Sequence, residues 1–145
     1  MKNRAQLEIL LIFMCAFLFA QESENIGILK VIVSGLKSDK GDIKIGLFNS
    51  AESYQGKTDK FRGSILPIVD KRAEWLIESI PFGEYAVKLF HDEDKDDKID
   101  RNFIGMPTES IGFSNNAKIG FGPPGFKKAK FLFNSKEMTI VIELK

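Results

Sequence analysis

Between Ile26 and Leu144 the chain is broken into short apolar or alternating runs, each closed by Gly, Pro, Asp or Asn, and this pattern limits it to an all-β fold. The runs are Ile26 to Val33, Ile43 to Phe48, Ser64 to Val69, Glu74 to Ile80, Tyr85 to Phe90, Ala129 to Phe133 and Met138 to Leu144. No segment carries a long helical period, and neither a repeat nor a low-complexity linker interrupts them. About seven strands in one domain, with odd number and open edges, favour a single β-sandwich over a closed barrel. The first two runs read as a hairpin or a sandwich corner. Pro67 places its run at an edge or a bulge, because proline cannot donate to a ladder. Asn49 to Gly63 reads as a loop or a short helix.

Ahead of this domain stands a different composition. Lys2 and Arg4 precede an apolar run from Ile9 to Phe19, and Ala20 is followed by polar QESEN. This is the pattern of a cleavable export leader over residues 1–20, and the run is short for a bilayer span; an uncleaved anchor is the alternative. A domain of residues 21–145 would then reside in the periplasm or be secreted, with no stable membrane span after cleavage. Cys15 is the one cysteine and lies inside the leader, either lost on cleavage or lipidated. The exported domain is therefore without disulfides, thiolate nucleophiles or cysteine metal ligands. Two of the 21 basic residues and one of the 20 acidic ones lie in the leader, so the remainder carries no net charge. Such a balance gives no reason to expect nucleic acid as a partner. A monomer is expected, since lysines on the terminal strands discourage edge pairing.

The most distinctive stretch is Tyr85 to Asp100, YAVKLFHDEDKDDKID. An alternating strand, with Tyr85, Val87 and Leu89 on one face, runs directly into acidic residues at every second position. Asp92, Asp94, Asp96 and Asp100, with the Lys98 carbonyl, stand at relative positions 1, 3, 5, 9 and 7 of a calcium loop, where hard oxygen ligands wrap a hard cation. Position 6, usually glycine, is Asp97, and position 12, usually a bidentate Glu, is Phe103. The missing ligand would come from Glu109, Asn115, a carbonyl or water. These departures point to weak affinity, about 10⁻⁴ M. The competing readings are a solvated acidic loop offset by Lys95, Lys98 and Arg101, magnesium, or a basic partner. Upstream, Pro81, Gly83 and Tyr85 resemble the Pro-x-Gly-x-Tyr corner of transthyretin-like and carboxypeptidase-regulatory-like sandwiches, with the Tyr85 hydroxyl anchoring the turn. The fold expected is thus an immunoglobulin-like or transthyretin-like β-sandwich.

His91, the one histidine, is expected to hydrogen-bond a loop backbone and fix the turn. A hydrolase using His91 and Asp92 would need Ser110 or Ser114 as nucleophile, and no nucleophile-elbow pattern surrounds either. A lone histidine also excludes the usual zinc and copper sets. Gly112 to Phe126, GFSNNAKIGFGPPGF, reads as a long loop whose Phe113, Phe121 and Phe126 cover one end of the sandwich. The alternative is an aromatic platform for a glycan, with Asn115 and Asn116 as hydrogen-bonding groups.

Taken together, Gly83, Tyr85 to Val87, His91-Asp92, Asp100, Gly105, Pro107, Glu109, Gly112 to Asn115, Pro123, Phe126 and Ala129 resemble the hallmark of the DUF2141 family of exported bacterial proteins. Where those relatives usually carry Asn-Gly-Asn-Gly in the acidic loop, this chain has Asp94-Lys95-Asp96-Asp97. The resemblance implies an exported sandwich and specifies little about function. The function expected is a non-enzymatic envelope binding module, possessing a calcium-stabilised acidic loop and contacting an envelope protein or a glycan. Carbohydrate binding through the Phe and Asn loop, or hydrolysis through His91, are the alternatives.

Overall fold

The computed structural model describes residues 25–144, so the expected leader, with Cys15, lies outside the described residues. Eight strands occur among those residues: β1 (Ile26–Ser34), β2 (Asp42–Phe48), β3 (Arg62–Pro67), β4 (Ala73–Pro81), β5 (Gly83–Asp92), β6 (Ile111–Phe113), β7 (Phe131–Phe133) and β8 (Glu137–Glu143). They form a three-stranded sheet in the order β4-β1-β8 and a five-stranded sheet in the order β3-β2-β5-β6, with β7 also paired to β5. This is the expected β-sandwich, with one strand more than the sequence pattern suggests.

Period-two alternation decides which side chains meet between the sheets. Leu29, Val31 and Val33 of β1 face Ile43, Ile45 and Leu47 of β2 and Tyr85, Val87 and Leu89 of β5 in one buried cluster, to which β8 adds Ile142. Trp75 packs against the same cluster as a partly buried residue. β1 and β2 belong to different sheets, so the turn between them is a sandwich corner. β3 is an edge strand and ends at Pro67, as the absent amide requires. Between Gly27 and Leu29 the β1–β4 register shifts, with one extra residue on β4 and Ser79 at φ 55°, a bulge that increases local twist.

The Tyr85 hydroxyl donates to the Pro81 carbonyl at 2.8 Å, closing the corner that Pro81 and Gly83 shape. Two expectations need correction. Gly112 lies in a strand: β6 pairs with Lys88 to Phe90 of β5, and a Cβ on Gly112 would fall 2.8 Å from Leu144 Cδ2 and 2.9 Å from Ile142 Cγ2 of the facing layer. The missing side chain lets β6 approach the other sheet, and it also hides the alternation. Ala129 belongs to the four-residue helix α2 (Phe126–Ala129), leaving β7 only three residues. A second short helix, α1 (Ala51–Tyr54), is capped by the Ser50 hydroxyl, which accepts from the Ser53 amide at 3.1 Å.

On its outer face the five-stranded sheet carries another apolar layer. Phe48, Ala86, Ile111 and Phe113 meet Tyr54 of α1 and Phe126 and Ala129 of α2. No helix among the described residues is long and apolar enough to cross a membrane.

Candidate functional site

β5 ends at the acidic loop. Because side chains alternate along a strand, His91 points into the core side and Asp92 to the outer side, and both are buried. His91 Nε2 lies 2.6 Å from the Lys40 carbonyl, an acceptor, so that nitrogen carries the proton; Nδ1 faces Glu93 at 3.7 Å. The histidine therefore ties the end of β5 to the turn before β2, the role expected of it.

The Asp92 carboxylate organises the next five residues. Its Oδ1 accepts from the Asp96 amide at 3.2 Å and its Oδ2 from the Asp97 amide at 3.1 Å. Asp94 Oδ1 also accepts from the Asp96 amide, at 3.3 Å, and Asp96 Oδ1 accepts from the Lys98 amide at 2.8 Å. Each of these last two bonds spans two residues, the Asx-turn geometry that lets an aspartate fold its own backbone. Lys95 and Asp97 adopt φ 63° and 66°. Asp97 thus takes the left-handed backbone that a glycine would occupy more cheaply.

Past Asp100 the chain makes a small hairpin of its own. Arg101 bridges Pro107, the Thr108 amide donates to the Asp100 carbonyl at 2.9 Å, and the Asn102 amide donates to the Met106 carbonyl at 2.9 Å. This excursion returns Glu109 to the loop. Its Oε1 accepts from the Glu93 amide at 2.9 Å and its Oε2 from the Asp100 amide at 3.1 Å, so one carboxylate clasps both ends of the acidic segment. β2 supplies the counter-charge: Lys44 Nζ donates to Asp97 and lies 3.5 Å from Asp92 Oδ2. Lys95 pairs with Asp42 at 3.1 Å.

Carboxylate oxygens converge in two groups, Asp92 with Asp94 and Asp96, and Asp94 with Asp100 and Glu109, each within 4.8 Å. Asp94 is shared. Of the residues expected to hold a metal, Asp92, Asp94, Asp96 and Asp100 fall in these groups, and Lys98 is tied into the loop by its backbone amide, which donates to Asp96 Oδ1. Glu109 replaces Phe103 as the distal carboxylate; Phe103 is fully exposed at the tip of the small hairpin. Asn115 is engaged elsewhere, its side-chain amide donating to the Lys130 carbonyl at 2.8 Å. Lys44 was not visible as a site residue, because only the β2–β5 register, Asp42 opposite Asp92, brings it there.

Electrostatics separates the two central aspartates. Burial pushes the Asp92 carboxyl up, but the Asp97 and Asp96 amides and the Lys44 charge together outweigh it and hold the group below its ordinary value. Asp94 is raised by desolvation and by the charges of Asp96, Asp100 and Asp92. The hydrogen bond to Asp97 raises the Lys44 ammonium, in spite of the partial desolvation that opposes it. Asp94 therefore marks uncompensated negative charge, which a cation would relieve.

Two of the three aromatic rings of the Gly112–Phe126 segment pack internally. Phe113 is buried, Phe126 packs edge-on against Tyr54 with centroids 5.8 Å apart, and only Phe121 of the three is exposed. Asn116 Oδ1 accepts from the Glu143 amide at 2.9 Å. Ser114 is buried, its hydroxyl accepting from the Val87 amide at 2.8 Å and donating to the Ala129 carbonyl at 2.5 Å.

A family model described as an uncharacterized protein conserved in bacteria (DUF2141) matches residues 31–141, from within β1 to within β8. The chain belongs to the DUF2141 family. The match spans both sheets and the whole acidic loop of this DUF2141 protein, as the resemblance implied. No curated protein and no solved structure matches it significantly.

Proposed function

We propose that this DUF2141 protein is a non-enzymatic, exported envelope binding module whose acidic loop is ordered by calcium. The observation that carries the calcium reading is the pair of overlapping three-carboxylate groups that share Asp94, with Glu109 in the second supplying a carboxylate that the loop sequence lacks. Calcium suits an all-oxygen set of this size better than magnesium, which keeps its waters and demands closer octahedral geometry. Export rests on the leader pattern of residues 1–20. Against hydrolysis stand the burial of His91, whose Nε2 proton is committed to Lys40, and of Ser114, whose hydroxyl is committed to Ala129.

The test is the thermal unfolding midpoint of residues 21–145 in EDTA and across a calcium series, with magnesium as control. A dissociation constant of about 10⁻⁴ M gives about 2.7 kcal/mol of stabilisation at about 10 mM calcium, a rise of roughly 10 °C. The rise grows with the logarithm of the calcium concentration above the dissociation constant, is specific to calcium and disappears in Asp94→Asn. A midpoint that does not move, or that magnesium moves equally, sinks the calcium reading and leaves a solvated loop.

A further inference from the structure

Above the outer face of the five-stranded sheet lies an open cleft of about 970 Å³, roofed by the hairpin after Asp100 and by the segment around Phe121. That volume is at the upper end of the range for small-molecule sites, ~300–1,000 Å³. Its walls are mostly apolar: Ile65 of β3, Phe90 of β5 and Ile111 of β6 from the sheet, Met106 and Ile119 from the roof. Its charges are one-sided. Lys44, Lys60, Lys88 and Arg101 line it against a single acid, Asp97, which Lys44 already engages.

Among the described residues, Lys60, Lys88 and Arg101 have no carboxylate within ion-pair distance. Lys88 is the more telling. Its ammonium is partly buried, donates to the Tyr54 carbonyl and stands over two aromatic faces, 4.7 Å from the Phe48 centroid and 4.4 Å from that of Tyr54. Desolvation lowers its pKa, so the charge is held at a cost that an anion would offset. Lys60 lies beside the same place. Gly46 and Gly63 pair across β2 and β3, and a Cβ on Gly63 would fall 2.3 Å from Lys60 Cε, so the lysine stem rests flat on bare backbone. A Cβ on Gly46 would meet the Phe48 ring at 2.9 Å and Lys60 Cδ at 3.4 Å, which puts both lysines around one aromatic floor.

We propose that this cleft binds a free, single-tailed anionic amphiphile of the fatty-acid class, with the headgroup at Lys60 and Lys88 and the tail along Met106, Ile119 and Ile65. Along the apolar walls Lys44 is engaged by Asp97 and Arg101 by the Gly105 carbonyl, which leaves Lys60 and Lys88 as the cations open to a carboxylate at the Phe48 end, with an alkyl chain following the walls. The headgroup end is independent of the calcium reading, since neither lysine belongs to the acidic loop, and the hairpin that roofs the tail is held by its own hydrogen bonds to Asp100, Met106 and Glu109.

Calorimetric titration of residues 21–145 in EDTA with decanoate below its micelle concentration tests it, alongside decanol, decyltrimethylammonium and phosphatidylglycerol vesicles. Decanoate binds, decanol binds more weakly, and decyltrimethylammonium does not bind. Lys88→Met weakens decanoate about tenfold, the loss of one charge-assisted contact, and leaves decanol unchanged. Met106→Asp, at an exposed position where folding is not at stake, weakens both. The proposal is overturned if decanoate and decyltrimethylammonium bind alike, if Lys88→Met binds decanoate as the unaltered protein does, or if vesicles are bound while decanoate monomers are not. Calcium plays no part in these titrations, so their failure and that of the melting series are separately visible.

Discussion

Asp92 is the residue on which the acidic loop hangs. It is solvent-inaccessible, yet it is held ionised by two backbone amides and Lys44. Its folded pKa lies below that of the unfolded chain, about 3.9, so its contribution is complete above that value and is lost as the pH falls through the folded one. Asp92→Asn keeps the shape but loses the charge, and is expected to cost about 1–3 kcal/mol at pH 7. Urea unfolding at a series of pH values should show the difference between the two proteins shrinking as the pH falls below about 3.9. A difference that stays constant as the pH falls would mean that shape, and not charge, is what the loop needs. The importance of Asp92 was legible in sequence as the first of a spaced acidic series. Its burial was not, because the Lys44 that stands over it comes from another strand.

At the scale of elements, β5 does most of the organising. It pairs with β2, β6 and β7, closes the Tyr85 corner at its start and opens into the acidic loop at its end. The turn into β2 is locked against that end. Gly41 has φ 73°, and a Cβ there would lie 1.9 Å from the Asp92 carbonyl oxygen and 2.6 Å from Glu93 Cα. Gly56 has a similar φ of 78° but open space around it. Gly56→Ala is therefore expected to cost only left-handed strain, about 1–2 kcal/mol, whereas Gly41→Ala must also move backbone and should cost clearly more. Denaturant midpoints of the two variants decide the point, and equal losses would show that the turn gives way freely. The long runs, β1, β2, β4, β5 and β8, were readable from period two. β6 was read as part of a loop and β7 as starting at Ala129, for they have three residues each and exist because β5 offers them an edge.

For the whole molecule, the two sheets and the loop layer above them should differ in stability. β1 and β5 each sit between partners and carry fully buried side chains, while the acidic loop and the segment around Phe121 are exposed. Amide hydrogen exchange is expected to be slowest in β1 and β5 and fast over residues 93–110, and calcium should slow the Asp96, Asp97 and Asp100 amides selectively. Uniform protection across the chain would contradict this layering. The amino-acid sequence by itself determined the all-β class, the sandwich, the family, the role of His91 and four of the clustered carboxylates, because strand period and loop spacing are local properties. Only the tertiary structure decided that Glu109 completes the cluster, that Lys44 neutralises part of it, and that Lys60 and Lys88 share one wall of a cleft. Those groups are separated along the chain, and strand register and the hairpin after Asp100 are what bring them together.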